Sequence, residues 1–270
     1  MNKTILVTGA TDGIGYETAK MLLSVGHTVL LHGRNSSKLR DAQTRLTEAT
    51  GTGQSETYVA DMSNIDDVKA LAQAIIAKHG ALDALINNAG VYGEPEVMTQ
   101  DGLDVRFVVN TFAPYVLTKA LLPMLGKGSR VVNVSSAAQA PVSLAAMAGN
   151  QPLDDSQAYA QSKLALTMWS RQLGLQLAEQ GPSIIAVNPK SLLGSKMVRD
   201  AYGMAGGDLR IGADILSRAA LSDEFAQASG QYYDNDIQQF ANPHRDALNA
   251  EKTQAVISCM EKVIEHITHS

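Results

Sequence analysis

The chain has 270 residues, of which 45% are hydrophobic and 18% charged, with a net charge of −5 and no basic block. That balance suits a globular chain with a substantial core and argues against a nucleic-acid or anionic-membrane surface. The lone cysteine, Cys259, excludes an intrachain disulfide; no His/Cys grouping has metal-ligand spacing, so no metal is expected and the ligand class left is small molecules. The first predicted strand, Thr4 to Thr8, is a short apolar run ending in glycine. A helix follows from Gly15 to Val25 with Ala19, Leu22 and Leu23 at helical spacing. The unit recurs as strand-like Thr28 to His32 before a helix from Ser36, and Glu56 to Ala60 before a helix from Asn64 to His79. Leu82 to Asn87 and Arg130 to Ser135 are two further strands around a helical stretch from Gly102 to Leu125. Ile184 to Asn188 is a sixth strand, Gly230 to Tyr233 a short seventh, and Pro243 to Ile267 a terminal helix starting on proline. Such alternation predicts βαβ units in one α/β domain spanning 1–270, a doubly wound parallel sheet of about seven strands with helices on both faces.

Two long segments without regular periodicity, Ala137 to Ser156 and Lys190 to Asp208, each follow a strand. Ligands of open α/β sheets bind outside the carboxyl ends of the strands, so both segments are expected to flank the site. The turn Thr8-Gly9-Ala10-Thr11-Asp12-Gly13-Ile14-Gly15 joins the first strand to the first helix. Residues without side chains let backbone amides and a helix N-terminus approach a pyrophosphate, which makes Gly9, Thr11, Asp12, Gly13, Ile14 and Gly15 candidate cofactor contacts. At the end of the second strand, Gly33, Arg34 and Asn35 offer no acid for a ribose 2′-hydroxyl; Arg34 suits a 2′-phosphate, so NADP(H) is favoured over NAD(H). Further on, Tyr159 and Lys163 stand four apart and share a helix face.

With Gly-x-x-x-Gly-x-Gly, Asn87-Asn88-Ala89-Gly90 and Tyr159-x-x-x-Lys163 in this order, the chain resembles the short-chain dehydrogenase/reductase family along essentially its whole length. The resemblance implies a Rossmann-type fold, a nicotinamide cofactor and a small carbonyl or alcohol substrate. It implies that Tyr159 is the general acid/base, that Lys163 binds the nicotinamide ribose, and that Ser136 orients the substrate oxygen. Asn110 matches the family's helix asparagine, which holds a water relaying protons to the lysine; a satisfied core amide is the other reading of that residue. Asp61, with Met62 beside it, matches an adenine contact. Asn88, Ala89 and Gly90 lie on the adenosine side, and Pro189 ends the sixth strand before Lys190, where the family usually has glycine. A free phenol has a pKa of about 10, and a cation about 4 Å away contributes up to roughly 4 kcal/mol at an effective dielectric of 20. Lys163 is therefore expected to bring Tyr159 down toward neutrality.

Lys190 is expected to crowd the nicotinamide end and reduce activity, unless its side chain points to solvent. Leu192, Leu193, Met197, Val198 and Met204, with Val142, Leu144 and Met147 in the earlier segment, suggest an apolar substrate beneath a glycine-hinged cover. The 23 positions from Ser136 to Tyr159 resemble the retinol dehydrogenase and protochlorophyllide reductase branch. Pairing through the helices of Asn110 and Tyr159 would give a homodimer. A non-catalytic nicotinamide-nucleotide sensor is the alternative; a hydrolase lacks its G-x-S-x-G elbow, and an epimerase or dehydratase would need a larger C-terminal region. The first residues lack the pattern of a signal peptide and no run reaches membrane-spanning length, so a cytoplasmic location without membrane contact is expected.

Overall fold

β1 (Thr4–Val7), β2 (Thr28–Gly33), β4 (Leu82–Asn87) and β6 (Ser183–Asn188) are near-continuous apolar runs, the composition required of strands covered on both faces. The computed structural model of the chain describes residues 2–269. Between these strands lie α1 (Gly13–Ser24), α2 (Ser36–Thr50), β3 (Gln54–Val59) and α3 (Ile65–Lys78). After β4 a long helical segment comprises α4 (Val105–Phe107), a π-helical turn at Val108–Phe112 and α5 (Ala113–Leu121); then come β5 (Leu125–Val134), α6 (Leu144–Met147) and α7 (Asp155–Leu177). Beyond β6 the chain forms α8 (Lys196–Tyr202), α9 (Leu209–Leu221), β7 (Tyr232–Asp234), β8 (Gln239–Ala241) and α10 (Ala250–His269).

All eight strands join one sheet in the order β3-β2-β1-β4-β5-β6-β7-β8, parallel except for β8. The doubly wound expectation holds for seven strands; β8 is an addition, a three-residue hairpin partner too short to carry a pattern. Alternate residues face opposite sides. Leu6, Leu30, Leu85 and Val131 pack beneath α3, α5 and α7, while Ile5, Val7, Leu31 and Ile86 pack beneath α1, α2 and α9. Strand order reverses between β1 and β4, so a crevice opens at their carboxyl ends.

Two sequence expectations are corrected and one is refined. The helical stretch expected from Gly102 to Leu125 is helical over Val105–Met124, with a π-turn that widens it around Asn110. α8 forms within Lys190 to Asp208, a segment read as unpatterned: Ser195 caps it by accepting from the Val198 amide. Pro243 does not start the terminal helix; a 3-10 turn at Arg245–Leu248 intervenes before α10. The segment Val105–Met124, with a mean hydropathy of 1.2, is long and apolar enough to cross a membrane, yet 72% of it is buried inside this fold.

Candidate active site

The turn after β1 is built so that only glycine fits. Gly9 has φ +66°, and a Cβ there would lie 2.9 Å from the Ala89 Cα; a Cβ on Gly15 would lie 2.2 Å from the Gly9 carbonyl oxygen. β1 and the end of β4 are locked together by Thr8, whose buried hydroxyl accepts from the amides of Asn88 and Ala89, both at 3.0 Å. The Asn88 amide returns bonds to the Thr8 and Gly9 carbonyls at 2.9 and 3.1 Å. From β2, His32 Nδ1 accepts from the Gly9 amide at 3.2 Å while Nε2 meets the Ala60 carbonyl at 3.1 Å. Burial lowers the His32 pKa to about 4, which preserves the neutral ring this bridge needs. The sequence reading passed over Thr8 and His32 as binding-site supports, since a threonine or histidine at a strand end carries no spacing signal.

A cavity of about 340 Å³ runs from Gly9, Asp12, Gly13 and Ile14, past Asn88, Ala89 and Gly90, to Ser136, Tyr159, Lys163 and Pro189. At its inner end α7 presents Tyr159 and Lys163 one turn apart, with Asp154 capping the helix by accepting from the Gln157 amide. The buried Lys163 Nζ donates to the Val134 carbonyl at 2.7 Å and lies 5.7 Å from the centroid of the Tyr159 ring. Ser136 is oriented from two sides: its carbonyl accepts from the Tyr232 hydroxyl at 3.1 Å, and its hydroxyl accepts from the Ala138 amide at 3.1 Å. Ser135, by contrast, is buried against Thr167 at 2.6 Å, which leaves Ser136 as the serine of the cleft. Bare glycine walls at one end and an ammonium beside a phenol at the other fit a nicotinamide dinucleotide. Gly9, Gly13, Ile14 and Asn88 to Gly90 would hold its phosphates and adenosine half, and Lys163 its nicotinamide ribose.

The electrostatics correct one expectation. Burial pushes the Tyr159 phenol above its ordinary value, and the contact from the Ser136 hydroxyl only partly opposes this. Lys163 does not pull it down: burial lowers the lysine itself to about 8, and its ammonium is directed at the Val134 carbonyl rather than at the phenol oxygen. Asn110 is a satisfied core amide. Its side chain accepts from the Val91 amide at 2.8 Å and donates to the Val91 carbonyl at 2.9 Å and the Ser162 hydroxyl at 3.0 Å, fixing the strand end of β4 to α7. A Cβ on Gly90 would come 3.3 Å from Asn110 Oδ1 and 3.5 Å from Lys163 Nζ, so all three residues crowd one point.

Other predicted contacts fall outside this cleft. Met62 is 5% exposed and packs in the core. Asn35 is spent as the α2 cap, accepting from the Lys38 amide and the Ser37 hydroxyl at 3.0 and 2.9 Å. Thr11 and Gly33 shape the turn, since a Cβ on Gly33 would meet Thr11 Cγ2 at 2.6 Å. Asp61 accepts from the Ser63 amide and hydroxyl, and with Arg34 it lines a second cavity of about 730 Å³. There Arg34 Nη2 lies 3.8 Å from Glu94 Oε2.

Lys190 lines the main cleft with φ +116°, a region that strains any residue with a Cβ. The backbone is held there by Asp236, which accepts from the Ser191 amide at 3.0 Å and the Asn188 side chain at 2.9 Å. Strain of about 1–3 kcal/mol exceeds the roughly 0.5–1 kcal/mol that glycine costs in chain entropy, so Lys190→Gly is expected to stabilise the fold by about 1 kcal/mol. A urea midpoint that falls in this variant would show that Lys190 is not strained.

The fold and its cleft have counterparts among known proteins. A short chain dehydrogenase family model matches residues 3–204. Human retinol dehydrogenase 12 is 31% identical over 271 residues, covering 93% of this chain and 83% of that protein. Human polyprenol dehydrogenase is 35% identical over 193 residues and 68% of this chain, which spans 58% of that relative's length. Among solved structures, an uncharacterized protein from Mycobacterium paratuberculosis superimposes with a TM-score of 0.79 at 26% identity, covering 97% of this chain and 93% of that one. Pseudomonas aeruginosa RhlG, solved as an NADP active-site complex, gives a TM-score of 0.68 at 26% identity over 86% of this chain and 94% of its own. With its parallel sheet, its glycine turn and its Tyr-Lys helix, the chain belongs to the short-chain dehydrogenase/reductase family, the NAD(P)-dependent oxidoreductases of CH–OH groups.

Proposed function

We propose that the protein interconverts a carbonyl and an alcohol on a small apolar substrate with NADP(H), and that reduction is the favoured direction. The observation that carries this reading is the convergence of Ser136, Tyr159 and Lys163 at the inner end of a cleft whose other end is a glycine cradle. NADPH bound in that cradle supplies the hydride. Ser136 hydrogen-bonds the substrate oxygen, and Tyr159 delivers a proton to it. A phenol held above its ordinary pKa is fully protonated at neutral pH, the state required of an acid in carbonyl reduction. Lys163 and Asn110 fix the helix face on which Tyr159 stands.

Arg34 supports the 2′-phosphorylated cofactor. It is 65% exposed, and its pairing with Glu94 at 3.8 Å is of the surface kind worth about 0–1 kcal/mol, which a 2′-phosphate displaces readily. Leu192, Leu193, Met197 and Val198 line the outer cleft and suit an apolar body; retinol and polyprenol dehydrogenases among the relatives carry names of lipophilic alcohols. The catalytic unit is read as a monomer rather than the homodimer of the family pattern. α10 packs across α7, α6 and α3, and Tyr115 of α5 donates to Glu261 of α10, so the chain covers part of its own pairing face. The test is kcat/KM for decanal, benzaldehyde and retinal with each cofactor. NADPH is expected to be preferred at least about tenfold on one of them, in keeping with an exposed arginine contact. Equal or better use of NADH overturns the cofactor assignment, and tight NADPH binding with no turnover on any carbonyl favours the sensor reading.

A further inference from the structure

α8 is an appendage with no buried residue. It leaves and rejoins the body through a neck in which the Gly194 amide donates to the Gly207 carbonyl at 2.7 Å and the Gly207 amide to the Leu192 carbonyl at 2.8 Å. The neck is tight, since a Cβ on Gly206 would lie 2.6 Å from the Gly194 Cα. At its far end, the last residue of the helix, Tyr202, brings its ring centroid 5.9 Å from that of Tyr92. Tyr92 in turn lies 5.1 Å from the Tyr159 ring, and all three rings line the cleft. The two sides of this contact differ in rigidity. Tyr92 follows Val91, which Asn110 clamps through both backbone polar groups, and precedes Gly93, where a Cβ would touch the Asp155 carboxylate at 3.3 Å. Tyr202 is 55% exposed and is followed by Gly203 in the left-handed conformation. Burial and the Tyr202 hydroxyl push the Tyr92 phenol up to about 12.

We propose that Tyr92 is a substrate-positioning residue that latches α8 over Tyr159, and that the apolar, flat part of a substrate takes the place of the Tyr202 ring against it. The substrate half of this claim rests on the function proposed above; the latch itself does not. A substrate entering from the α8 side must part Tyr202 from Tyr92 before its oxygen reaches Tyr159. Tyr92 then serves as a fixed aromatic wall on which that substrate lies, which favours conjugated or planar groups next to the reacting carbon. Closure over the substrate keeps water from the reacting centre.

The test needs no known substrate. Lys196 and Arg199 of α8 are exposed, and trypsin can cut there only as fast as the helix lifts and unwinds. In Tyr92→Leu and Tyr202→Leu, loss of the ring contact is expected to speed cleavage at these residues about fivefold with an unchanged melting temperature. The double variant should be no faster than either single one, because the same contact is removed. With benzaldehyde, whose ring is planar and adjoins the reacting carbon, Tyr202→Leu should lower KM about fivefold with a smaller change in kcat. Wild-type cleavage rates in the single variants, or accelerations that multiply in the double variant, overturn the latch. Absence of benzaldehyde turnover in the wild type leaves the cleavage result standing and counts against the proposed function instead.

Discussion

Arg106→Leu is expected to lower folding stability by about 3–5 kcal/mol, read as the loss in unfolding free energy in urea. Arg106 is 1% exposed and makes a two-pronged pair with Asp104, Nε to Oδ1 at 2.6 Å and Nη2 to Oδ2 at 2.8 Å. Its Nη1 donates to Asp155, the first residue of α7. Leucine would fill much of the space but leave Asp104, itself buried, without its counter-charge. That desolvated carboxylate is the source of the large cost. Arg106→Lys keeps a charge and loses the fork, so an intermediate loss is expected. A loss below about 1 kcal/mol in Arg106→Leu would mean that water reaches Asp104 and that the triad is ornamental. The stake is functional as well, since Asp155 anchors the helix end four residues before Tyr159.

The parts of this molecule legible in the sequence are those fixed by backbone geometry. The Gly9, Gly13 and Gly15 pattern announces a tight turn: a Cβ would collide at Gly9 and Gly15, and Gly13 sits at φ +60°. Apolar runs such as Ile184 to Asn188 announce strands covered on both faces, and they occupy the centre of the sheet. Tyr159 and Lys163 could be placed together from helical periodicity alone. What escaped was decided by tertiary neighbours. Nothing local marks Tyr92 as a wall of the cleft, because its partners Tyr159 and Tyr202 come from α7 and α8, far along the chain. The sign of the Tyr159 shift was misjudged for the same reason: spacing brought the ammonium near the ring but could not reveal the Val134 carbonyl that claims it, nor the depth of burial. α8 was hidden in the glycine-rich stretch from Lys190 to Asp208, where a cap at Ser195, rather than propensity, starts the helix.

Tyr159→Phe removes one oxygen while keeping the ring against Tyr92, so the fold and the cofactor cradle should persist. Proton delivery by a positioned acid contributes about 10²- to 10⁴-fold, and turnover should fall by that factor. The decisive reading follows the isotope rather than the rate alone. Wild-type protein given [4,4-²H₂]NADPH and decanal should produce decanol one mass unit heavier, with label on the carbinol carbon. Under equal time and enzyme, Tyr159→Phe should yield at least a hundredfold less label while binding NADPH with wild-type affinity. Labelled alcohol formed by the variant at the wild-type rate would contradict the assignment of Tyr159 as the proton donor, and with it the chemistry assigned to this cleft.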